Sequence, residues 1–138
     1  MNAAASRTTT VPAFALAERA PCVNDRHMNT LDAGLALRDP SEVAFGGVVT
    51  SRAHFFYGSN THAMHEAFRV QSDDGHSLEV VDNVLLAPRV PVAPGDHVFV
   101  QGELVPRGTH GPLVHWTHHD PNGRHPDGYI ELDGRRYA

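Results

Sequence analysis

From Glu42 onward the chain carries short runs in which apolar and polar residues take turns. In Ala67–Ser72, Phe68 and Val70 fall on one side and Arg69 and Gln71 on the other, the two-residue period of a half-buried strand. His76–Val81 repeats it with Leu78 and Val80 against Glu79, and HVFVQGELV repeats it with Val98 and Val100 against Phe99 and Gln101. Ala44–Tyr57 is a longer β-branched and aromatic run, in which Gly46-Gly47 marks a bulge or bend. Leu113–Thr117 is the last strand. Turn chemistry separates these runs: Ser72-Asp73-Asp74-Gly75, Ala93-Pro94-Gly95-Asp96 and Arg107–Pro112, with glycine able to take positive φ at no steric cost. No segment has a helical period. Asn83–Val90 supplies one turn at most, cut by Pro88.

Five strands with a short irregular crossover between the third and fourth predict an all-β protein. The layout resembles the OB-fold, a small five-stranded Greek-key barrel; a β-sandwich or open meander is the other reading. The barrel domain is placed at residues 42–138, long enough for one modest core. Residues 1–41 are an N-terminal extension, poorly ordered or partly helical, rich in Ala and Thr and broken by Pro12, Pro21 and Pro40.

Charge narrows the partners. With 11 Arg, no Lys and 16 acidic residues the net charge is −5, which speaks against a cationic surface for duplex DNA. No apolar run approaches the roughly 18 residues of a membrane span. Cys22 is the only cysteine, so neither an internal disulfide nor a thiolate-rich zinc site is available. The apolar run Val11–Ala17 is interrupted by Pro12 and ended by Glu18. It makes no working secretory signal, and the expected location is cytoplasmic.

Histidine is what remains. Eleven of 138 residues are His, and five lie between His110 and His125. In LVHWTHHDPNGRHPDGY, a strand would point Val114 and Trp116 one way and His115 and Thr117 the other. Asp120-Pro121-Asn122-Gly123 must end it, near His118. A continued strand would part His115 and His119 by about 13 Å at roughly 3.3 Å per residue. A reversal at Asp120 instead gathers His118, His119, Asp120 and His125. Imidazoles beside a carboxylate suit Zn and similar divalent transition metals. The loop pair His62 and His65 is a second cluster. His54, His76, His97 and His110 read as ordinary surface positions. Gly-rich phosphate loops, G-x-S-x-G and H-E-x-x-H are all missing.

The segments LAPRV, GD-x-V-x-V-x-GE and above all VHWTHHDPNGRHPDGYIELDGRRY resemble a bacterial family, the domain of unknown function 3465 family, over about Ala44–Tyr137. In that pattern a histidine followed by an aromatic after the first strand matches His65 and Phe68. Where the family carries a histidine and an aspartate before LAPR, this chain has Asp82 and Leu85. Export signals are common in the family, which implies the cell envelope.

Three readings follow. In the first, a divalent metal is held by a subset of His65, His115, His118, His119, Asp120 and His125, with hydrolytic chemistry open to it. In the second, the barrel is a non-enzymatic module for a single-stranded nucleic acid, an oligosaccharide or a protein. Phe55, Phe56, Tyr57, Phe99 and Trp116 would then stack on the ligand, assisted by Arg89 and Arg124. In the third, the histidines form a buried polar network that fastens the C-terminal tail.

Overall fold

In the structure, a computed structural model that describes residues 29–138, the two-residue alternation becomes inside and outside. β1 is Ser41–Val49, β2 His54–Gly58, β3 Ala63–Ser72, β4 Ser77–Asn83, β5 His97–Gly108, β6 Gly111–His115, β7 Tyr129–Leu132 and β8 Arg135–Tyr137. In β4 the inward residues Leu78, Val80 and Asp82 are buried, while Glu79, Val81 and Asn83 are half-exposed. β5 repeats this with Val98, Val100, Gly102 and Leu104 inside and Phe99, Gln101 and Glu103 outside.

Five strands close on themselves in the order β1-β3-β4-β6-β5 and back to β1. Every neighbouring pair is antiparallel except β4 with β6, which run parallel at Glu79↔Leu113 and Val80↔Val114. This is the expected OB-like Greek-key barrel, and closure removes the free edges of an open sheet. Its core is built from Phe45, Phe68, Leu78, Leu104, Ile130 and a group of valines. α1, Leu31–Leu35, packs on β1 and β5. Leu31 is fully buried, and Thr30 exchanges hydrogen bonds with Ala44 through its N–H and Oγ1.

Three strands lie outside the barrel. The long first strand expected at Ala44–Tyr57 is two: β1 ends at Val49, and β2 folds back on β3. Ser51 makes the break, its Oγ accepting the Arg69 N–H while the Thr50 N–H donates to Arg69 O. β7 and β8 form a C-terminal hairpin added to β5. Gly47 lies where β1 is clamped between β3 and β5. A Cβ there would meet Val70 Cγ1 at 2.6 Å and Gln71 O at 2.7 Å. Among the described residues no helix is long and apolar enough to cross a membrane. Cys22 and His27 lie outside the described residues.

Candidate metal centre

Strand register lays a polar row across the outside of the barrel. Glu42 of β1 faces Glu103 of β5, and Glu103 faces His115 of β6. Beyond β6, the parallel pairing brings in β4, and His65 of β3 faces Asn83 of β4. The inward neighbours of these residues (Val43, Leu104, Val114 and Glu66) are buried, so the same pleat that fills the core aims the row outward.

At the β3–β4–β6 end the row opens into a cavity of about 450 Å³, lined by His65, His115, Trp116 and His118 with Val81, Asn83, Leu85, Leu86 and Thr61. The rings have defined tautomers. A carbonyl oxygen only accepts, so His65 Nδ1–H donates to Ala63 O at 3.1 Å and His118 Nδ1–H to His119 O at 2.9 Å. In the neutral rings, Nε2 is then the lone-pair nitrogen. His115 Nε2 bonds Glu103 Oε1 at 2.8 Å, leaving Nδ1. Burial lowers the pKa of His65 below its ordinary value, and the neighbouring His115 and His118 lower it further.

Trp116 does not continue the strand. Its φ of +55° turns the chain into the left-handed region, a costly conformation for a bulky residue. The ring therefore points outward, not inward with Val114 as the alternation implied. Trp116 stacks on His125 with centroids 4.0 Å apart and an 11° angle, and sits tilted against His118 at 5.0 Å. Thr117 goes inward instead, its hydroxyl donating to Val81 O at 3.0 Å. The loop that follows packs against this turn at Gly128, where a Cβ would collide with Trp116 O.

At the β1–β5 end, Glu42, Glu103 and His125 bring one ligand atom each within 4.8 Å of one another. His125 Nε2 stands 3.7 Å from Glu42 Oε2 and 3.6 Å from Glu103 Oε2, too far for hydrogen bonds. Its Nδ1–H donates to Pro126 O at 2.8 Å, which leaves Nε2 as the ring atom that faces both carboxylates. Burial raises the pKa of Glu42; His125 opposes the rise and Glu103 adds to it. The only other such trio among the described residues, Asp32, Asp74 and His76, is on the surface, with the Asp32 side chain 84% exposed.

The six residues proposed from sequence as ligands thus separate. His65, His115 and His118 share the cavity, and His125 lies next to it across the Trp116 ring. His119 points elsewhere, its Nδ1 2.9 Å from Asp127 Oδ1 in a solvent-exposed pair. Asp120 organises the reversal: Oδ1 accepts the Asn122 N–H, and Oδ2 accepts those of Arg124 and His125. These bonds hold its pKa below the ordinary value and spend its oxygens on the turn. Of the ligand-binding candidates, Trp116 is in the cavity wall. Arg89 covers the Phe55 ring at 4.7 Å, and the Arg124 backbone N–H is tied to Asp120. Neither arginine lines the cavity. Glu42, Glu103 and Asn83 went unnoticed from sequence. Glu103 was findable as the outward residue after Gln101 in the β5 alternation, whereas Glu42 needed the barrel register.

The model of a family described as protein of unknown function (DUF3465) matches residues 36–138. The chain belongs to that family, and the match takes in both ends of the row and the whole barrel. No curated protein matches the chain.

Proposed function

We propose that this DUF3465 family member binds a divalent transition metal between Glu42, Glu103 and His125, and that the neighbouring cavity holds what the metal acts on. The observation that carries this reading is His125 Nε2, facing two carboxylates at 3.6 and 3.7 Å without a hydrogen bond to either. An imidazolium N–H paired with a carboxylate settles at about 2.7–2.9 Å. His115 Nε2 and Glu103 Oε1 in the same cluster make an ordinary hydrogen bond, at 2.8 Å. The wider gaps around Nε2 fit a cation, since metal–ligand bonds of roughly 2.0–2.2 Å leave the ligand atoms themselves well beyond 3 Å apart.

Outer contacts support the same reading. Pro126 O fixes the His125 tautomer, His115 orients Glu103, and Trp116 holds the ring plane; such partners set ligand direction and basicity. One nitrogen and two carboxylates suit zinc, manganese or iron. A metal there would supply Lewis acidity and a lowered water pKa, the basis of hydrolytic chemistry. Protein purified without a polyhistidine tag is expected to carry or take up close to one equivalent of Mn²⁺ or Zn²⁺ at this centre. Glu42→Gln should weaken that uptake at least tenfold. Less than about 0.1 equivalent, with no thermal stabilisation by added metal, would remove the proposal.

A second reading rests on the apolar arm beside the cavity. Phe55, Phe56 and Tyr57 of β2 are 40%, 40% and 59% exposed, near the face on which OB barrels bind oligomers. Single-strand binding through this arm would weaken with salt and with Phe56→Ala, and would need no metal.

A further inference from the structure

We infer that the cavity receives an uncharged primary or cyclic amide on an apolar body, with His65 accepting its N–H and Asn83 donating to its carbonyl. This amide is the occupant of the chamber beside the Glu42–Glu103–His125 centre, so the assignment rests on the role proposed for that chamber.

Charge is the first constraint. Among the described residues, those that line the cavity include no carboxylate, guanidinium or ammonium group. An ionic ligand would lose its hydration there without gaining a counter-charge. Burial first, and then the neighbouring His115 and His118, lowers the pKa of His65, so this ring is uncharged at neutral pH. Val81, Leu85, Leu86 and Trp116 make an apolar wall, and about 450 Å³ is an ordinary volume for a small-molecule site. Leu85 is 71% exposed, so the mouth is open. An apolar body therefore fills most of the space.

The polar side is a matched pair. His65 and Asn83 lie directly opposite each other on β3 and β4, and both line the cavity. In such a pair the Cβ atoms are roughly 4.5–5.5 Å apart, close enough for one small planar group to reach both. The backbone fixes what each side chain has left to offer. His65 Nδ1–H donates to Ala63 O at 3.1 Å, which makes Nε2 an acceptor. Asn83 Oδ1 accepts the Leu85 N–H at 3.0 Å, which orients the amide and leaves Nδ2 as a donor. Thr61 Oγ1 stands 3.5 Å from His65 Nε2, at the outer limit of a hydrogen bond, and also reaches Gly58 O at 3.3 Å. Phe56 stacks on the His65 ring, with centroids 5.3 Å apart and an angle of 14°, and holds its plane.

An acceptor beside a donor is the complement of an amide whose N–H and C=O share one edge. A carboxylate offers two acceptors and would set an oxygen against His65 Nε2. An amidinium offers two donors and would set a cation against Asn83 Nδ2. The pair therefore selects the amide over both charged shapes, through mismatch as much as through attraction.

Benzamide, benzoate and benzamidine share one ring and differ only at that edge. Trp116 is the only tryptophan of the chain and belongs to the cavity wall, so its emission reports occupancy. In metal-free buffer at neutral pH, the full chain should bind benzamide saturably, roughly tenfold or more tighter than benzoate or benzamidine. Asn83→Asp keeps the acceptor for the Leu85 N–H but exchanges the donor for an acceptor, and should reverse the order in favour of benzamidine. Equal affinities, a preference for benzoate or benzamidine in the unaltered protein, or no response of Trp116 to benzamide would overturn the inference. So would an Asn83→Asp protein that is folded by circular dichroism and still prefers benzamide. If that variant does not fold, the ranking of the three probes on the unaltered protein decides. Calorimetry with Mn²⁺ alone tests the metal centre apart. Benzamide preference without Mn²⁺ uptake upholds the amide and overturns the centre; Mn²⁺ uptake without benzamide preference does the opposite.

Discussion

Two pairs of carboxyl groups face each other across neighbouring strands, and the barrel treats them in opposite ways. Glu66 on β3 is in register with Asp82 on β4, and both are 1% exposed inside the barrel. Glu42 on β1 is in register with Glu103 on β5, outside, with His125 over them. Glu66 has one anchor, Oε1 accepting the Val90 N–H at 2.9 Å, whereas both Asp82 oxygens lack a hydrogen-bond partner. Burial first, and then the charge of Glu66, pushes Asp82 up to about 7. Burial raises Glu66 as well. Burial and mutual repulsion both favour a proton on the inner pair. The outer pair has the His125 ring and an open side, and in the proposed reading a cation takes the part that the proton takes inside. Two cross-strand carboxyl pairs thus meet different surroundings, decided by which side of the pleat each occupies.

The largest expected effect comes from the inner pair. The folded-state pKa of Asp82 lies above its unfolded value, so between about pH 4 and pH 7 the folded state keeps a proton that the unfolded chain has released. Its contribution to stability is complete at low pH and lost as pH rises through about 7. The full swing is on the order of 4 kcal/mol at most. Asp82→Asn cannot ionise. In metal-free buffer its melting temperature should exceed that of the unaltered protein above pH 7, with the gap closing toward pH 5. His65 acts in the opposite sense, since its lowered pKa costs stability as pH falls below its ordinary 6.5. Comparing the two proteins at each pH cancels that contribution. A gap that is the same at every pH would mean that Asp82 is ionised and paired.

On the outer side, Asp120→Ala tests whether the turn positions the centre. Losing the acceptor for the Arg124 and His125 N–H groups should weaken Mn²⁺ binding by about 10–100-fold, with the far-ultraviolet circular dichroism unchanged. A loss of binding that comes with a loss of folded signal would assign Asp120 a general folding role. The smallest effect is expected for His119→Ala. Its ion pair with Asp127 has side chains 65% and 61% exposed, and such pairs contribute little in water. Metal affinity at the Glu42–Glu103–His125 centre should stay unchanged by calorimetry; a clear loss would return His119 to the ligand set.

Much of this was legible in the sequence, and the failures have physical causes. The barrel could be read because its strands alternate over a one-sided core and Gly75, Gly95 and Gly111 mark turns that do take positive φ. β2 was merged with β1 because the break at Ser51 is made by a long-range bond to Arg69, which no local pattern reveals. The β7–β8 hairpin had a readable signal, Asp133-Gly134 with φ of +53° and +80°, the preferred two-residue hairpin turn. In the site, clustering in sequence gathered His115, His118 and His125 but also enlisted His119 and Asp120, because adjacency says nothing about direction. A strand parts adjacent side chains, and the left-handed turn at Trp116 resets the phase. Glu42 lies 61 positions before Glu103 in the numbering, and only register joins them.

Anomalous diffraction from crystals soaked in Mn²⁺ tests the carboxylate centre most directly. A peak is expected within about 2.0–2.3 Å of His125 Nε2 and of one oxygen each from Glu42 and Glu103. Density without that peak, with His125 Nε2 instead drawn to about 2.8 Å from a carboxylate oxygen, would show an imidazolium ion pair and contradict it.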